Sequence, residues 1–544
     1  MTTQDKEFSL ELSRRKLLAA AGIGGSVALA PYVIRARGAA AASDTRGVSD
    51  LLPAPPVAGL HLQFGADASS EIVVSWHTLQ RVRRARVILG LLDGKLEQTV
   101  EADETSYTDA KSGQVVYAYH AKLARLQADA AYLYGALHDG AQPEFGTFRT
   151  APRGRARFTF TSFGDQGTPT LGRRYVPPAF SRLLRPFLRF FGTTVPTYVN
   201  DNLGSPAAGD TTLGVERLRP LFHLLNGDLC YANFAADRVR TWWDFWENNS
   251  RSARNRPWMP AAGNHENELG NGPIGYQAYQ TYFSLPPATD QTDLTHGLWY
   301  AFTVGSMRVI SIANDDVVYQ DGGDSYVRGY SNGAQKAWLE KELAATRTDN
   351  DIDWIVVCMH QVAISTVDKF NGADLGIRQE WGPLFDKYGV DLVVCGHEHH
   401  YERSHPIRGC RPNATLTPVP AATATDVIDT TKGTVHMVIG GGGTSVPSNQ
   451  LFFDPPACRV ITAVAASDPV TGKRLPIYVK EEAPWSAVRN AAHSYGFAAF
   501  DLDPGSRAGD FTSIKVTYYD VVGPDGRLAP FETFTLRRPR RDQP

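Results

Sequence analysis

Five times along the chain a short apolar run stops at an Asp, Asn or His. Arg157-Phe158-Thr159-Phe160-Thr161-Ser162-Phe163 ends in Gly164-Asp165, and Leu221-Phe222-His223-Leu224-Leu225 ends in Asn226-Gly227-Asp228-Leu229-Cys230-Tyr231. Trp258-Met259-Pro260-Ala261-Ala262 ends in Gly263-Asn264-His265-Glu266, and the run from Ile352 to Met359 ends in His360. The last, Val390 to Cys395, opens into Gly396-His397-Glu398-His399-His400-Tyr401-Glu402-Arg403. Open α/β sheets bind ligands beyond the carboxyl ends of their strands, and this pattern reads as such an edge. Between the runs, Asp237 to Asn249 carries Val239, Trp242, Trp243 and Trp246 at helical spacing, and Gly333 to Thr346 carries Trp338, Leu339 and Leu343. Phe302 to Ile312 reads as two strands joined at Gly305-Ser306. Thr434 to Ile439 reads as a late strand turning at Gly440–Gly443; no Lys-Ser/Thr follows, so a tight turn near the site fits better than a phosphate loop.

Ahead of these lie short β-type runs: Glu71 to Trp76, Ala85 to Leu89, and Val115 to His120, with Tyr132 and Tyr134 after them. Strands at this spacing, ending near Thr150, predict an all-β sandwich with no visible chemistry, packed against the next domain. The expected division is 1–42 targeting segment, 43–56 Pro-rich linker, 57–152 sandwich, 155–502 catalytic domain, and 503–544 strands that complete the fold.

Charge changes the picture little. Residues 1–42 hold six Lys/Arg against three Asp/Glu, which leaves 49 basic and 54 acidic residues in the remainder. Such a balance argues against general nucleic-acid binding. Ser13-Arg14-Arg15-Lys16 precedes a Gly/Ala-rich apolar stretch, and Ala40-Ala41-Ala42 suits cleavage, so the segment reads as a twin-arginine signal. This predicts export by the twin-arginine machinery to periplasm, envelope or medium, with no membrane span after cleavage. Of the five cysteines, Cys230, Cys358 and Cys395 read as buried, while Cys410 and Cys458 flank a loop-rich region where an oxidising compartment would let them pair.

Asp165, Asp228, Tyr231, Asn264, His265, His360, His397 and His399 mix hard oxygen donors with imidazoles, a set suited to iron, zinc or manganese. They are too many for one ion. One carboxylate shared by two ions fits the number, and such a pair can clamp a phosphoryl group during in-line displacement.

With these motifs the chain resembles the calcineurin-like metallophosphoesterases, and within them the plant-like, two-domain purple acid phosphatases. Tyr231, three residues after Asp228, and the Gly-His-x-His-x-Tyr-Glu-Arg stretch at 396–403 carry the narrower likeness. The resemblance implies an α/β fold, a β-sandwich flanked by helices (αββα) preceded by a fibronectin type III-like sandwich. It implies a binuclear centre that hydrolyses phosphate monoesters, and diesters by extension, with a metal-bridging hydroxide. Asp165, Asp228, Tyr231 and His399 would bind Fe(3+). Asp228 would bridge to a divalent ion (Fe, Zn or Mn) held also by Asn264, His360 and His397. His265 would contact phosphate and protonate the leaving oxygen, or else orient a neighbouring ligand. Glu266, Glu402 and Arg403 would support the ligands from behind.

The sequence departs from the family in two places. No histidine lies between His360 and His397, where the family has a phosphate-facing one; Ser365, Asp368 or Asn371 can fill that space. Residues 170–215 look like an insertion whose segment Phe180 to Phe191 is aromatic and basic, readable as a lid, a membrane-surface helix or a packed excursion. Two other functions stay open: a di-zinc or di-manganese phosphodiesterase or neutral/alkaline phosphatase, and a secreted metal-binding protein without turnover.

Overall fold

The computed structural model describes residues 54–169, 204–320 and 325–542. The twin-arginine segment, most of the 43–56 linker and the segment Phe180 to Phe191 lie outside the described residues. Among the described residues no helix is long and apolar enough to cross a membrane.

The first eight strands form two four-stranded antiparallel sheets. One orders Ala58–Phe64, Ile72–Thr78, Val115–Leu123 and Asp103–Thr108; the other orders Gln98–Glu101, Arg86–Leu91, Ala131–Leu137 and Glu144–Arg149. Alternation explains the first sheet. Ile72, Val74 and Trp76 point into the sandwich core, and Ser75 and His77 on the opposite face are equally buried. That second face is covered by the helices Arg238–Ala253 and Gln277–Tyr282 of the following domain. His61 stacks on Trp246 at 3.7 Å and its Nε2 lies 2.8 Å from the Tyr282 carbonyl. His120 bonds the Thr281 carbonyl at 3.0 Å, and the His77 ring meets the edges of Trp243 and Tyr282 at 5.0 and 5.1 Å.

Among the described residues the second domain is built on two seven-stranded sheets with helices around them, and also holds a three-stranded and a two-stranded sheet. One sheet runs Trp258–Pro260, Phe222–Leu225, Phe158–Phe163, Gly496–Asp503, Phe511–Val521, Leu528–Pro539 and Val427–Asp429. The other runs Tyr300–Val304, Met307–Ser311, Trp354–Cys358, Leu392–Cys395, Val435–Ile439, Tyr401–Ser404 and Ser486–Arg489. The strands that precede the candidate ligands are parallel within each sheet, which brings their carboxyl ends to one edge. The helices at 237–249 and 333–346 appear as Arg238–Ala253 and Ala334–Thr348, the first capped by Asp237, whose carboxylate accepts the Arg240 N–H at 2.9 Å. Their Trp242, Trp246, Leu339 and Leu343 side chains are buried, as the stripes require.

The last strands lie in the first of these sheets. Arg538 on Leu528–Pro539 reaches Asp391 at 2.6 and 2.7 Å, and Arg347 reaches it at 2.8 Å. Asp391 immediately precedes Leu392–Cys395, so this buried pairing anchors the base of the strand that delivers His397 and His399. The Cys410–Cys458 pairing that the sequence left open is not formed. Cys410 is exposed on a two-stranded ribbon, whereas Cys458 is buried in a different sheet with its sulfur 3.6 Å from the Arg378 guanidinium.

The histidines between the two domains predict a pH dependence. Burial, foremost, lowers His61 to about 4 and His77 and His120 to about 3. Their folded pKa values lie below the unfolded ~6.5, so their contribution is complete above pH ~6.5 and is lost as pH falls toward 4 and 3, by about 1.4 kcal/mol per pH unit per histidine. Urea midpoints should fall steeply between pH 6.5 and 4.5. His77→Leu, removing a ring whose two nitrogens have no partner, should flatten that slope by one proton.

Candidate metal centre

Every candidate ligand sits just past the end of a parallel strand, on backbone bent sharply enough to turn its side chain inward. Asp165, Asp228, Tyr231 and His397 all adopt the left-handed conformation, with φ of 59°, 51°, 58° and 69°. Such backbone costs on the order of 1 kcal/mol or more at a non-glycine residue and persists where surrounding bonds impose it. Those bonds are present: Asp165 N–H donates to the Gly227 carbonyl at 3.1 Å, Gln166 N–H to that of Asp228 at 3.2 Å, and Gly396 N–H to that of His360 at 3.1 Å. The turn at Gly440–Gly443 closes the far wall, as read from the sequence. A Cβ on Gly440 would sit 2.2 Å from the Glu398 carbonyl and 2.8 Å from Asp165 Oδ2, so only glycine fits.

Two clusters of donor atoms result. Asp165 Oδ1, Tyr231 OH and His399 Nε2 lie 3.2–3.3 Å from one another. Beside them, His360 Nε2 lies 3.1 Å from Asp228 Oδ2 and 3.1 Å from His397 Nδ1. Atoms sharing one ion at ~2.0–2.2 Å lie roughly 3.0–3.5 Å apart, and both clusters match that spacing. The His397 N–H donates to Asp165 Oδ2 at 2.8 Å and joins the two.

The proton positions fit a cation. His360 Nδ1 faces the Asn226 carbonyl at 2.7 Å and His399 Nδ1 faces the Val446 carbonyl at 2.6 Å. A carbonyl only accepts, so both Nδ1 atoms carry hydrogen and both Nε2 lone pairs point into the clusters. The side-chain oxygen and nitrogen of Asn264 are buried with no protein partner. A buried amide left this way is costly unless something else ligates it.

Electrostatics point the same way. Burial raises the Asp165 carboxyl. Burial also opposes charge on Asp228, but the imidazoles of His360 and His265 pull its pKa below the usual carboxylate range. Burial opposes charge on His360 too, yet Asp228 and Asp165 draw its pKa up to about 10, so that position favours positive charge. Tyr231 is pushed well above 10 by burial and by the charges of Asp165 and Asp228, so its phenolate needs a cation beside it.

His265 lies at the rim, half-buried, between Tyr231 at 4.8 Å and the partly exposed Phe234 at 4.6 Å. Its N–H donates to Asp228 Oδ1 at 3.0 Å, its Nδ1 lies 3.1 Å from Asn233 Oδ1 and its Nε2 3.7 Å from Asp228 Oδ2. Glu266 accepts the backbone N–H groups of Asp228, Leu229 and Gly263 at 2.8–2.9 Å, holding the turn that presents Asp228. The other two expected supports contact different groups. Glu402 accepts from the Thr366 amide and hydroxyl at 3.0 and 2.7 Å and meets His400 at 3.3 Å; Arg403 pairs with Glu532 at 3.0 Å and lies over Phe534. Arg403 thus fastens the C-terminal strand and touches no candidate ligand.

Of the three residues offered for the missing histidine, Asn371 donates to the His397 carbonyl at 2.7 Å. Asp368 faces Arg459 at 3.8 Å, and Ser365 accepts the Val367 amide at 3.3 Å. Phe370 packs edge-on against His399 at 4.9 Å. Two asparagines were missed. Asn226 holds His360 through its carbonyl and accepts the Ser162 hydroxyl at 2.8 Å, and Asn314 Oδ1 accepts the His360 N–H at 2.8 Å. Asn226 opens the Asn-Gly-Asp turn and was legible there; Asn314 has no local signal.

Glu266→Gln sets an amide N–H against backbone donors. It should cost about 1–3 kcal/mol in denaturant unfolding and lower metal content by elemental analysis; unchanged values on both counts would show that the carboxylate does not hold the Asp228 turn.

Comparison with known proteins agrees with this geometry. The family model for calcineurin-like phosphoesterases matches residues 210–401, and that for the purple acid phosphatase N-terminal domain matches residues 57–150. An uncharacterized protein of Mycobacterium tuberculosis is 60% identical over 487 residues, covering 90% of this chain and 88% of its own. A phosphoenolpyruvate phosphatase of Allium cepa is 27% identical over 408 residues, covering 73% of this chain and 71% of its own. The purple acid phosphatase of yellow lupin (Lupinus luteus) seeds superposes with a TM-score of 0.62 at 20% identity, over 90% of this chain and 75% of that one. With both matched models on one chain, their two domains in order and a candidate metal site at the strand ends, the chain belongs to the purple acid phosphatase family of calcineurin-like phosphoesterases and is a metal-dependent phosphoesterase.

Proposed function

We propose that the protein is an exported binuclear-metal phosphatase that hydrolyses phosphate monoesters, with diesters as a second substrate class. The observation that carries this reading is the pair of donor clusters, each at ion-sharing distances and each fed by lone pairs or carboxylates. Asp165, Tyr231 and His399, the more anionic cluster, would hold Fe(3+). His360, His397 and Asn264 would hold a divalent Fe, Zn or Mn ion, and Asp228 would serve both. When bound, such a pair supplies positive charge for the phosphoryl oxygens and acidifies water.

The chain's own residues do the rest. His265, fixed by Asp228 and Asn233, stands at the rim where a leaving oxygen departs and is placed to give it a proton. Phe234 and Phe370 offer apolar walls to the organic part of the ester. The mixed surface charge favours small phosphate esters over nucleic acid, and the Arg14-Arg15 segment supports export by the twin-arginine route to periplasm, envelope or medium.

The test compares wild type with Asp228→Asn on p-nitrophenyl phosphate and its bis-ester. The variant should lose roughly 10²–10³-fold or more in kcat, and equal rates would end the catalytic reading. A tyrosinate–iron band in the visible should accompany the wild type and vanish in Tyr231→Phe. An active, metal-replete but colourless wild type would instead support a di-zinc or di-manganese centre.

A further inference from the structure

His360 and His399 are oriented by backbone carbonyls, but His397 is not. Its Nε2 lies 2.5 Å from Gln320 Oε1, in the segment between Met307–Ser311 and Ala334–Thr348 to which the sequence reading gave no role. Gln320 Nε2 lies 3.1 Å from Asn371 Oδ1, and Asn371 Nδ2 lies 2.7 Å from the His397 carbonyl. The three residues therefore close a ring of hydrogen bonds that begins and ends on His397.

The direction of that ring is fixed at one point. A backbone carbonyl only accepts, so the Asn371 amide group facing it is the NH2 and its oxygen faces Gln320. Gln320 must then present its own NH2 to Asn371 and its oxygen to the imidazole. The His397 Nε2 consequently carries the hydrogen, and the lone pair is forced onto Nδ1, the atom 3.1 Å from His360 Nε2 in the second donor cluster.

Gln320 is itself held. Its N–H and that of Tyr319 both donate to Asp374 Oδ2 at 2.9 Å, and Asp374 Oδ1 accepts the Gly376 N–H at 2.7 Å. Asn371 is braced in turn by the Tyr478 hydroxyl, which donates to its carbonyl at 3.1 Å. The Gln320 side chain is buried, so water does not readily replace it.

We propose that Gln320 is the positioning residue that sets His397 in its Nδ1-ligating tautomer, with Asn371 as the polarity key, and that retention of the divalent ion depends on it. This rests on the reading of the second cluster as a metal site. The bond is made by a neutral amide where histidine ligands are often held by a carboxylate or carbonyl, so it fixes the ring without adding charge to a pocket that already holds Asp165 and Asp228.

The experiment uses full-length wild type, Gln320→Leu and the double variant Gln320→Glu with Asn371→Ala, loaded with metal and dialysed against graded concentrations of a dicarboxylate chelator. Metal per chain is measured by elemental analysis, and thermal melting is followed alongside. Wild type should keep two ions. Gln320→Leu should keep the ion of the Tyr231 cluster and release the other at about 10–100-fold lower chelator. Gln320→Glu, made together with Asn371→Ala so that the new carboxylate does not face the Asn371 oxygen, retains an acceptor for Nε2 and should restore retention toward wild type. Should the Leu variant not fold, the near-isosteric Gln320→Met takes its place. The proposal is overturned if the non-accepting variant holds both ions as wild type does, or if Gln320→Glu with Asn371→Ala loses the ion as readily as Gln320→Leu. A wild type that never holds two ions overturns the metal-centre reading itself, and this inference with it.

Discussion

Two carboxylates and the lone pairs of three imidazoles converge where water scarcely reaches, and such an arrangement is stable only if positive charge answers it. The pull of Asp228 and Asp165 on the His360 pKa shows the same preference for positive charge at that position. The unpartnered amide of Asn264 and the phenol of Tyr231, kept neutral by its surroundings, express the same need. The left-handed backbone at four of the site residues is the strain accepted to bring these groups together.

Much of the remaining structure resists that strain. Glu266 clamps the Asp228 turn with three backbone bonds, Asn226 and Asn314 fix both ends of His360, and the glycine turn after Val435–Ile439 allows the wall to close against Asp165. Farther out, the Asp391–Arg347–Arg538 pairing ties the C-terminal strand to the base of the strand carrying His397 and His399. Burying one partner of such a group alone would be costly, so its members hold the C-terminal strand and the helix Ala334–Thr348 to a single arrangement. The N-terminal sandwich adds a second brace, packing its histidine-bearing face on the two helices that flank the Asn264 loop.

The strand ends were legible because two signals coincide there: an apolar run long enough for a strand, and a ligand-type side chain immediately after it. The helices at Trp242 and Trp338 were legible from period alone, and the glycine turn from the absence of any phosphate-loop partner. Chemical type without geometry left one point open and misplaced another. Cys410 and Cys458 are both cysteines near loops, but one faces solvent and the other Arg378. Arg403 lies in the motif that carries two candidate ligands, yet strand alternation and a distant Glu532 take its side chain elsewhere.

The sequence by itself determined which atoms were available to the centre, because donor chemistry resides in residue identity and strand ends can be read locally. Only the tertiary structure decided which nitrogen of each imidazole faces inward, and that Gln320 and Asn371 stand behind His397. Those outcomes rest on hydrogen bonds between residues as far apart as Asn226 and His360, whose separation along the chain carries no trace of their meeting. Direction in such a network is set by the few groups that can only accept, and their places exist only once the chain has folded.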